Sequence, residues 1–309
     1  MKIFLSAFLI VSIILLLVCC NQPKQSESKT KTIGVTLLAR AHIFYRDLEE
    51  GLKTEAEKHG YELIITSADW DLGKQISQME DFISRKVDAI IVCPVDSRGI
   101  NFGVNEANKA NIPVFTADIA AEGSNVVAHI ASDNFRGGQL AGEYLAKLLN
   151  GKGNIAIIDQ PAITSVIDRV AGFREAISKY PDIKVVADVN GEGVRDKALI
   201  VTTDVLQANP ELDGIFGIND DSALGALGAV NQFNRKEIVI IGYDATPPAV
   251  DAILNGSQLK ADVVQYPKKI GSKTIEVIKD HFEGKVVPKV VPVEVGIVDK
   301  ESLQKNSAK

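Results

Sequence analysis

Cysteine is scarce in this chain of 309 residues, and its placement argues against a structural disulfide. Two of the three cysteines, Cys19 and Cys20, are adjacent and end an apolar N-terminal run. The third, Cys93, lies alone in the apolar sequence AIIVCP. Because no partner remains for it, we expect Cys93 to be a core residue rather than half of a disulfide.

Positive charge is also sparse. The chain has 34 lysine and arginine residues against 40 aspartate and glutamate residues, which gives a formal net charge of −6. No basic block occurs, and this argues against a nucleic-acid partner. The apolar content of 46% is ordinary for a globular protein, and the length favours two domains over one.

The common catalytic and cofactor-binding motifs are missing. The sequence has neither the Gly-x-Ser-x-Gly motif of a hydrolase nor a phosphate-binding loop that ends in Gly-Lys-Ser or Gly-Lys-Thr. The glycine-rich run RGGQLAG lacks the spacing of a dinucleotide-binding loop. The histidines show no metal-ligand spacing, so we expect neither a metal nor a cofactor. They are His42, His59, His129 and His281.

The first twenty residues differ in character from the rest of the chain. Lys2 precedes an apolar run over residues 3–18, a pattern typical of an export signal. The run is shorter than the roughly 20 residues of a membrane-spanning helix, and an uncleaved anchor is the alternative interpretation. The polar stretch NQPKQSESKTK follows. We therefore predict a signal peptide over 1–20 and a flexible tether over 21–31.

The sequence LVCC resembles a bacterial lipoprotein signal, in which a cysteine becomes the lipid-bearing first residue after cleavage. This resemblance implies lipidation at Cys20. Cys19 is the alternative, because the usual small residue before the cleavage site is absent. We expect an exported protein that is lipid-anchored to a bacterial cell membrane and faces the periplasm or the cell exterior.

From residue 32 onward, short apolar runs alternate with segments of helical spacing. Runs such as TIGVTL, NIAIID and IVIIGYD have the composition of buried strands. Apolar strands bounded by helices imply parallel sheets that are covered on both faces. Two successive series of such units predict an α/β fold with two doubly wound lobes. The strand-to-helix loops then meet at one edge of each sheet, where ligands usually bind.

Polar and aromatic side chains collect at the predicted strand ends. Amides and carboxylates bind hydroxyl groups, and rings pack on C–H faces, so this mixture suits a polyhydroxylated small molecule. The candidates are His42, Phe44, Tyr45, Asp118, Asn219, Asp220, Asp244 and Gln265.

Several of these candidates have a purely structural alternative. Asn219 and Asp220 precede a helical segment, and either could cap it. Asp244 precedes a Pro-Pro pair and could cap the helix that this pair opens. His42 and Phe44 could be ordinary surface or core residues.

Over residues 32–303 the chain resembles the ribose-type periplasmic sugar-binding proteins of ATP-driven importers. The motifs that carry the resemblance are, in order, TIGVTL, HIASDNFRGGQLAGEYLA, RVAGFREAI, NPELDGIFGINDDSALGAL, IVIIGYDATP and LKADVVQYPKKIG. The resemblance implies a type I periplasmic-binding-protein fold, with two lobes joined by a three-segment hinge and the ligand in the cleft between them. The implied lobes are an N-terminal one of residues 32–132 plus 266–294 and a C-terminal one of residues 133–265 plus 295–303.

The resemblance also implies individual ligand contacts. Phe44 and Tyr45 match the aromatic pair that packs against the sugar ring, and His42 replaces an asparagine that bonds the sugar. The residues that match polar contacts to the sugar hydroxyl groups are Asp118, Asn219, Asp244 and Gln265.

Four departures from the family pattern argue against ribose as the ligand. Ile119 and Ile167 stand where ribose binders have arginines, Leu38 replaces a serine, and Gly193 replaces an aromatic ring. Losing one buried charge-assisted contact costs roughly 1.5–3 kcal/mol. With Ile119 and Ile167 counted as ligand-binding residues, we expect another pentose or hexose, a deoxysugar, a polyol or a sugar-derived signal.

The predicted function is therefore that of a solute-binding lipoprotein that captures a sugar-like molecule and delivers it to the permease of an ABC transporter, with no chemistry on the ligand. A sensor that presents its ligand to a membrane receptor is one alternative. An enzyme acting on a sugar is another, with Asp118 and Asp244 as an acid–base pair.

Overall fold

The computed structural model describes residues 30–307, and residues 31–307 lie within one compact unit. The predicted signal peptide, most of the tether and the proposed lipid-bearing Cys20 are outside the described residues. Among the helices of the described part, none is long and apolar enough to cross a bilayer.

The first lobe is built on a sheet of six parallel strands in the order β11-β5-β4-β3-β1-β2. Its central strands are buried on both faces, as the apolar runs predict for a parallel sheet. The strands are β1 Thr32–Leu37, β2 Glu62–Ser67, β3 Ala89–Val92, β4 Val114–Ala117, β5 Ala128–Ser132 and β11 Val290–Val293.

The second lobe has a sheet in the order β12-β10-β9-β8-β6-β7. All its neighbouring strands are parallel except β12, which runs antiparallel to β10 at one edge. The strands are β6 Lys152–Asp159, β7 Asp182–Asn190, β8 Leu212–Gly217, β9 Val239–Asp244, β10 Leu259–Val264 and β12 Gly296–Asp299.

Helices cover the sheets, and the largest helix–helix contacts join α1 to α9, α4 to α5, and α6 to α7. The helices within residues 30–307 are α1 Ile43–Lys58, α2 Leu72–Ser84, α3 Asn101–Lys109, α4 Asn134–Leu148, α5 Thr164–Ile177, α6 Arg195–Ala208, α7 Asp220–Gln232, α8 Pro247–Leu254, α9 Pro267–Phe282 and α10 Lys300–Ser307.

The glycine-rich run RGGQLAG is a helix-packing motif. Gly138 of α4 lies against the backbone carbonyl of Arg169 in α5, and Gly172 of α5 lies against the carbonyl of Phe135. A Cβ atom at either glycine would overlap the facing backbone. The two glycines therefore allow α4 and α5 to approach closely, and one of the close contacts is at the backbone of Arg169.

The chain passes between the two sheets three times. From β5 it enters α4, which packs on strands β9, β10 and β12 of the second sheet. From β10 it enters α9, which packs on α1 and on strands β4 and β5 of the first sheet. Finally, β11 leads into β12. The predicted fold class, two α/β lobes that each contain one mostly parallel sheet, is confirmed. Cys93 is free and fully buried, as predicted.

Candidate ligand-binding site

A cavity lies between the lobes, at the carboxyl ends of the strands of both sheets. Eight of the nine residues predicted to bind the ligand line it: His42, Phe44, Tyr45, Asp118, Ile119, Asn219, Asp244 and Gln265. They come from four strand-to-helix connections and from the connection between β4 and β5, so only the folded chain brings them together. The ninth, Ile167, is not part of the lining.

The aromatic corner of the cavity is formed by the start of α1. His42 is the N-cap residue of this helix, and its Nδ1 accepts a hydrogen bond from the backbone N–H of Phe44 at 3.2 Å. Phe44 and Tyr45 are buried and meet edge to face, with ring centroids 5.3 Å apart. Capping thus fixes the His42 ring, while its Nε2 lies 3.9 Å from Oδ2 of Asp244 across the cleft.

Asp118 follows β4 and is held in place by Tyr45. The Tyr45 hydroxyl group donates a 2.7 Å hydrogen bond to Oδ2 of Asp118. The other oxygen, Oδ1, is buried and has no hydrogen-bond partner among the described residues. Burial raises the pKa of Asp118 to about 6, although the positive charge of Arg169 and the Tyr45 hydrogen bond act in the opposite direction.

Asp244 ends β9 in a backbone conformation that is rare for a residue with a side chain, with φ of 120°. Its Oδ1 accepts a 2.6 Å hydrogen bond from Nε2 of Gln265, which follows β10. Burial raises the pKa of Asp244, and the positive charge of Arg169 partly offsets this effect. The Oε1 atom of Gln265 is buried and has no partner within residues 30–307.

The capping alternatives have different outcomes at the three second-lobe candidates. Asn219 is the N-cap residue of α7, because its Oδ1 accepts from the N–H of Ser222 at 2.8 Å. Asp220 is the first residue of the helix rather than its cap, so the expectation of a capping Asp220 is wrong. Asp244 does not cap α8, whose N-cap residue is Thr246.

Asn219 combines its capping role with a place in the cavity wall. Its Nδ2 donates to the carbonyl oxygen of Gly193 at 3.0 Å. Because an amide nitrogen carries two N–H groups, one of them remains free for a further acceptor.

Arg169 is a cavity residue that was not included among the predicted contacts. Its Nε donates to Oδ1 of Asn134 at 2.8 Å, and Nη1 donates to the carbonyl oxygen of Ile218 at 2.9 Å. The guanidinium group stacks over the Tyr243 ring at 3.9 Å from its centroid. A signal exists in the sequence, since Arg169 lies four residues before the core residue Phe173 and thus on the buried face of α5.

One side of the cavity is apolar. Ile167 is 47% exposed and is not part of the lining, whereas the buried Val166 lines the cavity. The reason is helical phase, because one residue of offset turns a side chain by about 100°. The other apolar residues of the lining are Leu38, Trp70, Ile119, Ile163 and Ile218.

Gly193, where the resemblance places an aromatic ring, has φ of 66° and is not part of the lining. The side-chain oxygen of Gln160 occupies the space that a Cβ atom at this position would need. Gln160 lines the cavity instead, so a polar amide replaces the expected ring.

Among the described residues, no group of three or more side chains could hold a metal ion.

Comparison with known proteins gives consistent matches over almost the whole described chain. The profile of the periplasmic binding protein domain matches residues 33–286. The ribose import binding protein RbsB of Bacillus subtilis (strain 168) is 34% identical over 299 residues, which cover 94% of this chain and 97% of that protein.

Solved structures with the same fold hold small polyols and sugars. A solute-binding protein of an ABC transporter from Bacillus halodurans C-125, with bound myo-inositol, is 31% identical with a TM-score of 0.84, and the match covers 92% of this chain and 99% of the other. One from Actinobacillus succinogenes 130z, with bound D-allose, is 31% identical with a TM-score of 0.82, over 89% and 100% of the two chains. Proteins of this kind bind solutes and are not enzymes. The chain belongs to the periplasmic binding protein family of extracytoplasmic solute-binding proteins.

Proposed function

We propose that this protein captures a neutral sugar or polyol other than ribose and delivers it to the permease of an ABC transporter. One observation carries the proposal. Two cavity residues, Asp118 and Gln265, each have a buried acceptor oxygen without a partner among the described residues. A buried acceptor that lacks a donor is costly. Hydroxyl groups of the ligand would supply these donors, one to the Asp118 oxygen in the first lobe and one to the Gln265 oxygen in the second lobe.

The charges around the cavity favour a ligand without net charge. The guanidinium group of Arg169 is already engaged by Asn134 and Ile218. The pKa values of Asp118 and Asp244 are raised by burial, which disfavours their charged forms. An anionic ligand would therefore meet two carboxyl groups, and these groups already partly balance the positive charge of Arg169, the one arginine among the described residues of the lining.

The apolar wall supports the proposal of a ligand other than ribose. By the family resemblance, Leu38 and Ile119 present methyl groups where a ribose binder offers hydrogen-bond donors or acceptors, and Val166 extends this apolar wall. A ligand that carries a methyl or methylene edge opposite its hydroxyl groups matches this wall. We therefore place deoxysugars, methyl-bearing sugars and cyclic polyols ahead of ribose.

Ligand binding is proposed to close the lobes around the hinge, with an N-terminal lobe of residues 32–132 plus 266–294 and a C-terminal lobe of residues 133–265 plus 295–303. Closure would exclude water from the cavity and complete contacts from both sides. Affinity would then come from preorganised polar groups together with the contacts that the lobes make with each other.

A thermal-shift screen tests the ligand proposal. The panel contains D-ribose, D-allose, myo-inositol, deoxysugars and linear polyols, and a true ligand raises the melting temperature by mass action. Calorimetry on each positive compound then gives the affinity. Near-micromolar or tighter binding of D-ribose would overturn the exclusion of ribose, and a panel with no effect on the melting temperature would overturn the sugar proposal.

Lipid anchoring through Cys20 is the second part of the proposal. Metabolic labelling with a radioactive fatty acid would mark the protein, and Cys20→Ser would abolish the label while Cys19→Ser would retain it. The opposite pattern would assign the anchor to Cys19. Affinity capture from solubilised membranes distinguishes a permease from the receptor that a ligand-presenting sensor would engage.

A further inference from the structure

The turn that carries Asp244 is strained. Asp244 has φ of 120° and Ala245 has φ of 55°, so two consecutive residues with a Cβ atom lie in the region that favours glycine. Such a turn persists only when its surroundings hold it. Since the site described above depends on where the Asp244 carboxyl group points, the groups that hold this turn act on ligand binding.

Two buried carboxyl groups hold the turn by accepting its backbone N–H groups. Oδ1 of Asp262, in β10, accepts from Ala245 at 3.1 Å, and Oδ2 of Asp220, at the start of α7, accepts from Thr246 at 2.6 Å. Asp262 is fully buried, and Asp220 is 2% exposed. One oxygen of each carboxyl group therefore accepts a hydrogen bond from one of the two residues that follow Asp244.

The second oxygens of these two carboxyl groups lie in the same buried space beside Gly242. Oδ1 of Asp220 and Oδ2 of Asp262 are buried and have no other partner within the described chain. Both lie beside Gly242, where a Cβ atom would be 3.1 Å from the first and 2.5 Å from the second. The carboxyl groups are within hydrogen-bonding reach of each other. Two ionised carboxylates repel at this separation, whereas one proton between them makes a hydrogen bond.

The charged groups around the pair do not supply a cation in place of that proton. Asp244, on β9, adds a third carboxyl group. The groove beside Asp220 also contains Asp221 from α7, together with His42 and Arg46 from α1 and Arg195 from α6. Arg195 is already paired with Asp221 at 2.9 Å. Among the described residues, no hydrogen bond or ion pair joins these basic groups to Asp220 or Asp262.

We propose that Asp220 and Asp262 share one proton and that this acid pair is a positioning device, which holds Asp244 in its ligand-facing conformation. The ligand-facing role of Asp244 rests on the proposed function, whereas the shared proton does not. Loss of the proton places two anions side by side beneath the turn, so the N–H contacts of Ala245 and Thr246 loosen.

The sign of the pH dependence follows from burial, which raises the pKa of both carboxyl groups. A group whose pKa is raised by folding stabilises the fold below its ordinary pKa, near 3.9 for aspartate. That contribution is lost as the pH rises through the raised value. Asp262→Asn replaces the shared proton by an amide N–H and keeps an oxygen for Ala245, so it removes this dependence.

Infrared spectroscopy tests the shared proton directly and needs no ligand. The measurement is made at about pH 8, where Asp118, with a pKa of about 6, is ionised. Protein labelled at the carboxyl carbon of aspartate should then still show the C=O band of a protonated carboxyl group. The band should vanish in Asp262→Asn and remain in Asp251→Asn, a matched change at an exposed aspartate of α8. Absence of the band from the wild-type protein, or its survival in Asp262→Asn, would overturn the shared proton.

Amide hydrogen exchange tests the positioning role. Asp262→Ala should speed exchange at the Ala245 N–H about tenfold, whereas Asp262→Asn should leave it near the wild-type rate. Raising the pH should loosen this amide, beyond intrinsic exchange, in the wild-type protein and not in Asp262→Asn, which keeps the test valid if Asp262→Ala fails to fold. Unchanged protection in Asp262→Ala, or equal pH responses, would overturn the role.

Calorimetry with myo-inositol and D-allose as probes links the pair to binding. Asp262→Ala should weaken the binding of a probe about tenfold, and Asp262→Asn should restore it to within about threefold. If neither sugar binds the wild-type protein, the choice of ligand class is at fault, while the infrared and exchange results still decide the acid pair. Wild-type affinity in Asp262→Ala would contradict the link.

Discussion

Ser97 and Thr164 join the two lobes by direct hydrogen bonds beside the ligand cavity. The Oγ atom of Ser97 accepts from the backbone N–H of Thr164 at 3.0 Å and lies 3.2 Å from its Oγ1. Thr164 Oγ1 also accepts from the backbone N–H of Ala120 at 3.1 Å. The N-cap residue of α5, Ile163, has no side chain that can cap the helix. Ser97 of the opposite lobe therefore caps α5 when the lobes are together.

Ser97→Ala is expected to weaken ligand binding without destabilising the first lobe. Removing an N-cap hydroxyl group costs about 0.5–2 kcal/mol, and here that energy belongs to lobe closure. The dissociation constant should rise between about twofold and about thirtyfold, as calorimetry with the best compound of the sugar panel would measure.

Ser84→Ala is the matched control for this change, since Ser84 is exposed at the end of α2, away from the cavity lining. It should leave the dissociation constant unchanged. Scattering measurements on the ligand-free Ser97→Ala variant should show a more open average shape than the wild-type protein. Equal affinities in the wild type and Ser97→Ala would show that the interlobe bonds contribute nothing to closure.

Asp118→Asn is expected to stabilise the ligand-free protein in neutral solution. Burial raises the pKa of Asp118 from 3.8 to about 6 in the folded protein. The carboxyl group therefore stabilises the fold at low pH, and this contribution is lost as the pH rises through about 6. The difference between the two pKa values corresponds to ~3 kcal/mol of folding stability that is lost when the buried carboxyl group ionises. Asparagine does not ionise, so the variant keeps this stability at neutral pH.

Urea unfolding from about pH 4 to about pH 8 measures this effect as the difference in the free energy of unfolding between the two proteins. That difference should grow in favour of Asp118→Asn across the window, while the same variant loses affinity for the ligand. Asp182→Asn, at an exposed position of β7, should follow the wild-type curve. Parallel curves for Asp118→Asn and the wild type would contradict the raised pKa.

The periodicity of apolar residues predicts most of the fold, and the residues at the strand ends include most of those that line the cavity. Apolar runs predict the strands because both faces of a parallel sheet are buried, and strand order then places residues such as Asp118 and Asp244 at the carboxyl edges of the sheets. The cleft between the lobes is implied by the family resemblance. Helical phase is harder to read from a single chain. The family resemblance points to Ile167 as a contact, whereas Val166, one residue earlier on α5, is the residue that lines the cavity.

The sequence alone does not predict contacts between segments that are far apart in the chain. Asp220 could be read as a helix cap, because nothing local shows that its carboxyl group reaches Thr246 and Asp262. The role of Asp262 is hidden in the same way, since an aspartate within an apolar strand has no evident partner until β9 and β10 pair. The burial of Arg169 can be predicted in part, because its four-residue spacing from Phe173 places it on the buried face of α5.

Asp244→Gly is expected to abolish ligand binding and to raise the stability of the ligand-free protein. Glycine accepts the φ of 120° at this position without the strain of about 1–3 kcal/mol that a side chain brings. Part of this gain is offset by the greater entropy of the unfolded chain. We expect a net increase of about 1 kcal/mol in the free energy of unfolding and no thermal shift with any sugar of the panel.

Ala245→Gly is the control that separates strain from the carboxyl group. It relaxes the neighbouring φ of 55° and leaves Asp244 and the N–H of residue 245 in place. It should therefore stabilise the protein as well and still respond to the ligand. A loss of the thermal shift in Ala245→Gly would mean that the turn geometry, rather than the Asp244 carboxyl group, governs binding.

Arg169→Lys is expected to destabilise the protein although it preserves the charge. A lysine cannot reproduce the two directed hydrogen bonds to Asn134 and Ile218 together with stacking on Tyr243. Buried acceptors are left unpaired, and the loss should be about 2–5 kcal/mol in urea unfolding. Arg174→Lys, at an exposed arginine of the same helix paired with Asp188, should cost less than about 1 kcal/mol. Equal losses in the two variants would contradict the role of Arg169 as the buried cation that connects α5 to the cavity wall.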